Sequence, residues 1–387
     1  MKMNEFLVHK TQAYSKIDKF MMFRMYEKYK QYFCLKPIIH IVGTNGKGST
    51  GRFLAQLLEA LQYRVGHYTS PHLLAFNERF YLQGHNVSDE LLNAAHLELE
   101  SIFKEDLERL SYFEYATFLA AFLFKDCDFV IFEAGLGGEY DATSVFEKEL
   151  SIFTKIDFDH TEILGTKLEN IARTKLKVMA KKAIISGEQK QEVLDLAQKI
   201  ALLKESNLQM SVQIDTRMQE IFQLYCEKYA LADFLRHNLL LALNALTIFF
   251  PFQRVFEALQ SLKALNLRGR CEQIAPNVFI DVGHNIMAAR ALRERFYPSK
   301  VVLVYNSFLD KDVFTILKTL KPIIDIIKIY KYPSQERELA NKFIFSFAKV
   351  LNIQCQWFEN LDCDKTTLVF GSFVLVENFL KEWSDKE

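Results

Sequence analysis

One eight-residue segment constrains this chain more than any other. Ile38-Ile39-His40-Ile41-Val42, preceded by Pro37, has the apolar character of a strand; Gly43-Thr44-Asn45-Gly46-Lys47-Gly48-Ser49-Thr50 follows it, and residues 49–61 carry the apolar spacing of a helix. Glycines let successive backbone N–H groups turn toward one anion without Cβ clashes, and the helix N-terminus adds its dipole. Lys47 brings a positive charge for the β- and γ-phosphates, and Ser49 or Thr50 a hydroxyl for Mg²⁺. The segment departs from the generic GxxxxGK[ST] by the extra Gly48 between Lys47 and Ser49. Alone, it implies nucleoside triphosphate binding through Asn45, Gly46, Lys47, Gly48 and Ser49.

The rest of the chain fits such a loop. Short apolar runs alternate with helical patterns, the signature of βα units and a parallel sheet. The spacing predicts strands over 38–42, 64–68, 129–133, 151–156, 183–186, 279–281, 301–305, 324–330 and 367–370, and helices over 49–61, 115–124 and 237–249. Asn266-Leu267-Arg268-Gly269-Arg270 reads as a linker, after which a fresh βα series begins. The expected architecture is α/β: a P-loop-containing parallel-sheet ATPase domain over 1–267 and a smaller Rossmann-like domain over 268–387. Ligands of such sheets bind outside the carboxyl ends of the strands, so functional residues should follow strands.

Composition excludes several alternatives. The 48 basic and 48 acidic residues cancel, which gives no global pull toward nucleic acid. Half of the 387 residues are hydrophobic, enough for a large core without disulfide or metal staples. Cysteines 34, 127, 226, 271, 355 and 363 show neither CxxC nor a zinc-type grouping, which reads as reduced thiols in a cytoplasmic protein. The first thirty residues lack the apolar region of a signal peptide. The most apolar stretch, 239–252, is interrupted by Asn244, Thr247 and Pro251 and is too short to span a membrane.

The phosphate loop, down to its extra glycine, resembles that of the bacterial folylpolyglutamate synthase/dihydrofolate synthase family in the Mur ligase superfamily. Further segments resemble the same family in the same order. They are Thr69-Ser70-Pro71-His72-Leu73, Phe76-Asn77-Glu78-Arg79, Tyr112-Phe113-Glu114, Glu133-Ala134-Gly135-Leu136-Gly137-Gly138 with Asp141-Ala142-Thr143, and Asp159-His160-Thr161-Glu162-Ile163-Leu164-Gly165. Gly269-Arg270-Cys271-Glu272, Asp281-Val282-Gly283-His284-Asn285 and Gly371-Ser372-Phe373 complete the series, which runs from about residue 38 to 376. The resemblance implies an ATP-dependent amide ligase. The γ-phosphate passes to a carboxylate of dihydropteroate or a folate, the amine of L-glutamate attacks the acyl phosphate, and phosphate leaves.

The resemblance also implies roles. Ser70, Glu133 and His160 would hold the metal; a carboxylate ending an apolar strand, as Glu133 does, independently suits Mg²⁺, which prefers oxygen ligands. Lys175 would be carbamylated and hold a second metal, although Thr174 and Leu176-Lys177 depart from the family's usual Arg-Glu-Lys-Ala-Gly. Asn238, Arg270 and Asp281 would contact ATP, with Asn238 opening a helix, so that the nucleotide lies between two domains that close about the linker. His284 would assist at the acyl phosphate or orient the incoming glutamate, and Ser372 would contact glutamate. Ser111, Tyr112, Phe113, Glu114, Tyr140, Asp141 and Ala142 would face the pterin. The family's Asp-Leu-Gly-Leu-Glu-Arg segment is largely replaced by Ile17-Asp18-Lys19-Phe20-Met21-Met22-Phe23-Arg24. Partners are expected to be small molecules only, and the protein a monomer.

Two other readings compete with this one. A Mur-type ligase acting on a UDP-muramyl precursor is opposed by Gly48, by Thr69-Ser70-Pro71-His72, and by the mere 37 residues before the first strand. A nucleotide-binding protein without ligase activity rests only on the altered segment 17–24.

Overall fold

The computed structural model describes residues 2–8, 10, 18–33, 35–36, 38–211, 213–334, 337–362 and 364–384. Pro37, Ile17, Cys34 and Cys363 lie outside them. The described residues divide into two compact units, one within 1–229 and 237–265, the other within 230–236 and 266–387.

The first unit is built on an eight-stranded sheet. Its strands are β1 (Ile38–Val42), β2 (Val65–Tyr68), β3 (Phe80–Leu82), β4 (His85–Asn86), β5 (Phe129–Glu133), β6 (Leu150–Phe153), β7 (Lys182–Ser186) and β8 (Asn207–Ser211). Their order is β4-β3-β2-β5-β1-β6-β7-β8. From β2 to β8 every neighbouring pair is parallel, and at one edge the β2–β3 and β3–β4 pairs are antiparallel. Strands β1, β2, β5 and β6 are buried along their whole length. That is why they read as continuous apolar runs rather than alternating ones. One face is covered by the helices Asp89–Phe103 and Tyr112–Leu123 with part of Met21–Tyr29, in a core rich in Phe103, Phe118, Phe124 and Phe132. Farther along the same face, toward β8, Leu168–Leu176 and Gln191–Lys204 pack over Val42, Phe153, Ala183 and Ile185. The opposite face takes the helix Lys47–Ala60, whose Gly51 lies against His67.

The second unit holds a six-stranded sheet of β9 (Glu272–Ala275), β10 (Val278–Asp281), β11 (Val301–Tyr305), β12 (Ile324–Ile329), β13 (Gln354–Trp357) and β14 (Thr367–Phe370). The order is β13-β12-β11-β14-β10-β9, parallel apart from the β9–β10 pair. Its core joins β11, β12 and β14 to the helices Ile286–Phe296, Val313–Leu320 and Asn341–Val350.

Some boundaries differ from the sequence reading. The strand predicted over 151–156 ends at Phe153. Beyond it the backbone is taken by the phosphate loop, with Thr154 N–H donating to Val42 and Thr44 N–H to Lys155. The helix after the phosphate loop is Lys47–Ala60, so Lys47 and Gly48 belong to its first turn. The helix predicted over 237–249 is Asp233–Leu246, which starts earlier with an acidic residue against its N-terminal dipole. Asn238 therefore lies inside that helix rather than opening it. The helix predicted from 115 begins at Tyr112, where Ser111 and Glu114 form a capping box.

No helix among the described residues is long and apolar enough to cross a membrane.

Candidate active site

Four adjacent parallel strands, in the order β2-β5-β1-β6, send their carboxyl-end loops to one edge of the sheet. The phosphate loop follows β1, Ser70 follows β2, Glu133 ends β5, and the loop with Asp159 and His160 follows β6. Their assembly follows from topology, since neighbouring parallel strands end together.

The loop's glycines answer to specific contacts. Gly46 has φ +88°, and a Cβ there would lie 2.5 Å from Asn238 Oδ1. A Cβ on Gly43 would lie 1.9 Å from Thr154 Oγ1. The remainder of the loop is fastened from β6: Thr44 Oγ1 donates to Asp157 O at 2.9 Å and accepts from Asp157 N–H at 3.0 Å. Asn238 Nδ2 donates to Ser49 Oγ at 2.7 Å, and Ser49 Oγ donates to Gly46 O at 3.2 Å. The Thr50 hydroxyl is buried with no hydrogen-bond partner. Asn45 is half-buried in the loop.

Lys47 is half-buried rather than exposed. Its Nζ donates to Gly43 O at 3.3 Å and Thr44 O at 3.1 Å and lies 3.9 Å from Glu133 Oε1. Glu133 is itself buried. Its Oε2 accepts from Thr69 Oγ1 and from Ser70 N–H, which fixes the carboxylate in orientation. Oε1 takes no hydrogen bond among the described residues and faces the Lys47 side. This donor set suits Mg²⁺: one hard carboxylate oxygen beside a phosphate cradle, with the Ser70 hydroxyl near, leaves room for phosphate and water ligands. Among the described residues no group of three or more His, Cys, Asp and Glu side chains is arranged to hold a metal ion by itself. His160 sits at the N-cap of the helix Thr161–Leu164 with φ 48°, 3.9 Å from Asp159 and 3.8 Å from Glu162.

Lys175 is buried, and its Nζ donates to Gly43 O at 2.8 Å. Burial, reinforced by the positive charge of Lys47, lowers its ammonium to about 7, against the weaker pull of Asp159 and Asp141. A substantial fraction is therefore neutral at physiological pH, which is the form of an amine that adds CO₂.

The predicted pterin residues separate into two groups. Phe113 packs its ring on Gly135 and on Tyr68, the latter with centroids 5.8 Å apart. Tyr112 is nearly buried beneath the Arg79 guanidinium, 5.2 Å from its ring centroid. Tyr140 is exposed and meets Phe20 edge-on at 5.7 Å. Of the three rings, Tyr140 exposes aromatic surface, Phe113 is half-buried and Tyr112 is buried. By contrast, Ser111 and Glu114 spend their polar groups on the capping box: Glu114 Oε2 accepts from Ser111 N–H at 2.8 Å, and Ser111 Oγ from Glu114 N–H at 3.3 Å. The Asp141 carboxylate is buried and accepts from Gly135 N–H, Leu136 N–H, Thr143 N–H and Thr143 Oγ1 at 2.9, 2.8, 3.0 and 2.5 Å. Ala142 is buried beside it. Asp141 thus organises the loop after β5 from within.

Phe76-Asn77-Glu78-Arg79 has a structural role that its letters alone do not announce. Glu78 accepts from the N–H groups of Leu73, Leu74 and Ala75 at 2.7, 2.8 and 3.0 Å, shaping the loop after Ser70. Arg79 is buried and donates to His72 Nδ1 at 2.8 Å. A buried guanidinium is costly unless it meets an anion or several acceptors, which makes Arg79 a functional candidate.

In the second unit, Asp281 is buried at the end of β10 and accepts from Cys271 N–H at 2.9 Å and Gly283 N–H at 2.7 Å. Burial raises its carboxyl above the usual range, against these bonds and nearby Arg270. The Arg270 guanidinium lies 5.3 Å from the Phe373 ring centroid. His284 Nδ1 is 3.3 Å from Val282 O. Ser372 Oγ accepts from Leu375 N–H at 3.0 Å, so it caps the helix Phe373–Ser384, and it lies 3.4 Å from Tyr332 OH.

Comparison with known proteins adds to this geometry. The Mur ligase middle domain family matches residues 41–202. The Haemophilus influenzae dihydrofolate synthase/folylpolyglutamate synthase is 32% identical, with 89% of each chain covered. The crystal structure of Helicobacter pylori folylpolyglutamate synthetase superposes with a TM-score of 0.81 at 40% identity, covering 99% of this chain and 98% of that one. Escherichia coli FolC in complex with DHPP and ADP superposes with a TM-score of 0.79 at 26% identity, covering 99% and 97%.

Proposed function

Because this chain belongs to the dihydrofolate synthase/folylpolyglutamate synthase family, we propose that the carboxyl edge of its first sheet activates a pteroate or folate carboxylate for attack by L-glutamate. The protein is an ATP-dependent amide ligase that requires ATP and a divalent metal ion and releases ADP and phosphate. The supporting observation is the approach of the Lys47 ammonium to Glu133 Oε1, 3.9 Å apart over the phosphate loop.

The residue roles follow from phosphoryl transfer, which depends on positioning and on neutralising negative charge. The loop amides from Gly43 to Thr50 and the N-terminus of the helix Lys47–Ala60 receive the nucleotide phosphates. Lys47 exchanges its two carbonyl acceptors for phosphate oxygens. Asn238 orients the Ser49 hydroxyl. Ser70, Glu133 and His160 would hold the metal, which would neutralise charge on the transferring phosphoryl group. Lys175, once carbamylated, supplies a further oxygen ligand; the neutral amine bonds to CO₂ carbon and loses one proton. The acceptor's flat ring system lies against Phe113, Tyr112 and Tyr140, and Arg79 pairs with an acceptor carboxylate. Arg270 and Asp281 are assigned to the nucleotide, His284 and Ser372 to the glutamate. The enzyme is proposed to work as a cytoplasmic monomer on small molecules; its zero net charge supports the absence of a nucleic-acid partner.

The test is phosphate release from MgATP with L-glutamate, comparing dihydropteroate with tetrahydrofolate, products identified by mass. A glutamylated product from either acceptor supports the reading, and its identity tells which acceptor is used. ATP turnover indifferent to both acceptors overturns it.

A further inference from the structure

A cavity of about 530 Å³ has no phosphate-loop residue in its lining. It lies where the chain enters β6 at Lys148, where it enters β7 through Val178, Met179 and Ala180, and where the helix Gln191–Lys204 ends. These entries are the amino ends of β6 and β7, whereas Glu139 and Ser144, which also line the cavity, belong to the loop after β5 that carries Tyr140 and Asp141. The volume falls within the range of small-molecule sites.

Its charge is lopsided. Lys148, Lys177 and Lys204 line it together with Glu139 and Glu147. Glu139 is spent on Lys177, with contacts of 2.9 and 2.8 Å. Lys148 Nζ donates to Ser144 O at 2.9 Å and Lys204 Nζ to Met179 O at 3.2 Å. Neither forms an ion pair among the described residues. An ammonium carries three donors, so each keeps donors beyond its carbonyl. Burial, and the like charge of Lys204, lower Lys148 to about 8. Two mutually repelling cations retained beside a cavity, with Phe23 and Met179 as apolar wall, are an arrangement that an anion relieves.

We infer that this cavity binds a multiply charged small-molecule anion, phosphate- or polycarboxylate-bearing, held between the ammonium groups of Lys148 and Lys204. Through Glu139 and Ser144 the site adjoins the loop that carries Tyr140 and Asp141, while none of its lining residues belongs to the phosphate loop.

The experiment is calorimetric titration of the full chain in metal-free buffer with saturating ADP, using pyrophosphate and citrate as probes. Binding of either at one equivalent, weakened at least about tenfold (about 1.4 kcal/mol) in both Lys148→Met and Lys204→Met while ADP affinity holds, supports the site. Pyrophosphate alone binding selects a phosphate ligand, and citrate alone a polycarboxylate. No heat from either probe, or equal binding in wild type and variants, overturns the inference. Lys148→Met removes a repulsion and should melt no lower than wild type; Lys204→Met keeps the test open if it does not fold.

Discussion

Asn238 and Ser49, separated by 189 positions in the chain, are joined by a hydrogen bond of 2.7 Å that ties the middle of the helix Asp233–Leu246 to the first turn after the phosphate loop. The same asparagine's Oδ1 occupies the space that a side chain on Gly46 would need. Loop shape and hydroxyl orientation thus depend on one amide. Asn238→Ala should raise the KM for ATP by roughly 3–10-fold, the worth of one hydrogen bond, with a smaller effect on kcat. Steady-state kinetics at saturating acceptor and glutamate check this; an unchanged KM removes the positioning role.

Glu133→Gln keeps the shape of the side chain and its acceptor toward Thr69 and Ser70 but removes the charge. Turnover should fall by about 10²–10³-fold, as for removal of one preorganised electrostatic contact. Higher Mg²⁺ should recover part of it. Phosphate release measured across a metal titration distinguishes this from a folding defect, which added metal would not repair.

Lys47→Ala should abolish transfer while leaving the melting temperature within a few degrees. Among the described residues its side chain makes only two long bonds, to Gly43 O and Thr44 O, and Gly43 O keeps its bond from Lys175. Differential scanning fluorimetry beside the activity assay separates the two effects. Near-normal turnover would sink the assignment.

Lys175 carries a pH signature. Its ammonium is lowered to about 7 from an ordinary 10.5, so between those values the unfolded chain binds more protons than the folded one. Stability from this group therefore rises with pH across that window and is lowest below pH 7. Lys175→Met should flatten that slope and stabilise the protein near pH 7 by on the order of 1–2 kcal/mol, after the lost bond to Gly43 is allowed for. The same variant should be inactive. Denaturant melts at pH 6.5 and 9 check the sign.

Ser111→Ala with Glu114→Ala should cost about 1 kcal/mol of stability, the worth of a helix cap. If the capping box is all these residues do, kcat and the acceptor KM stay within twofold; a selective rise in acceptor KM restores them to the substrate site.

The centre of the fold was legible because β1, β2, β5 and β6 are buried on both faces and must be written in apolar residues. The edges were not. Asn207–Ser211 and Gln354–Trp357 are polar and mostly exposed, so nothing local marks them as strands. Glycine spacing and the strand-end carboxylate of Glu133 announced the catalytic edge. Arg79 and Thr154 did not, since a buried guanidinium has the same letter as an exposed one, and the contact of Thr154 with Gly43 is set by strand order. Asp141 shows the reverse case, a motif residue whose side chain turns inward to its own loop.

That inward turn has a kinetic consequence. Gly135, Leu136 and Thr143 all give their amide protons to one carboxylate, and no segment of the loop can release it alone. Their amides should exchange with solvent deuterium as a single unit, at one common rate. The loop that carries Tyr140 would then move as a rigid flap hinged beyond residues 135 and 143, not as a string of independent residues.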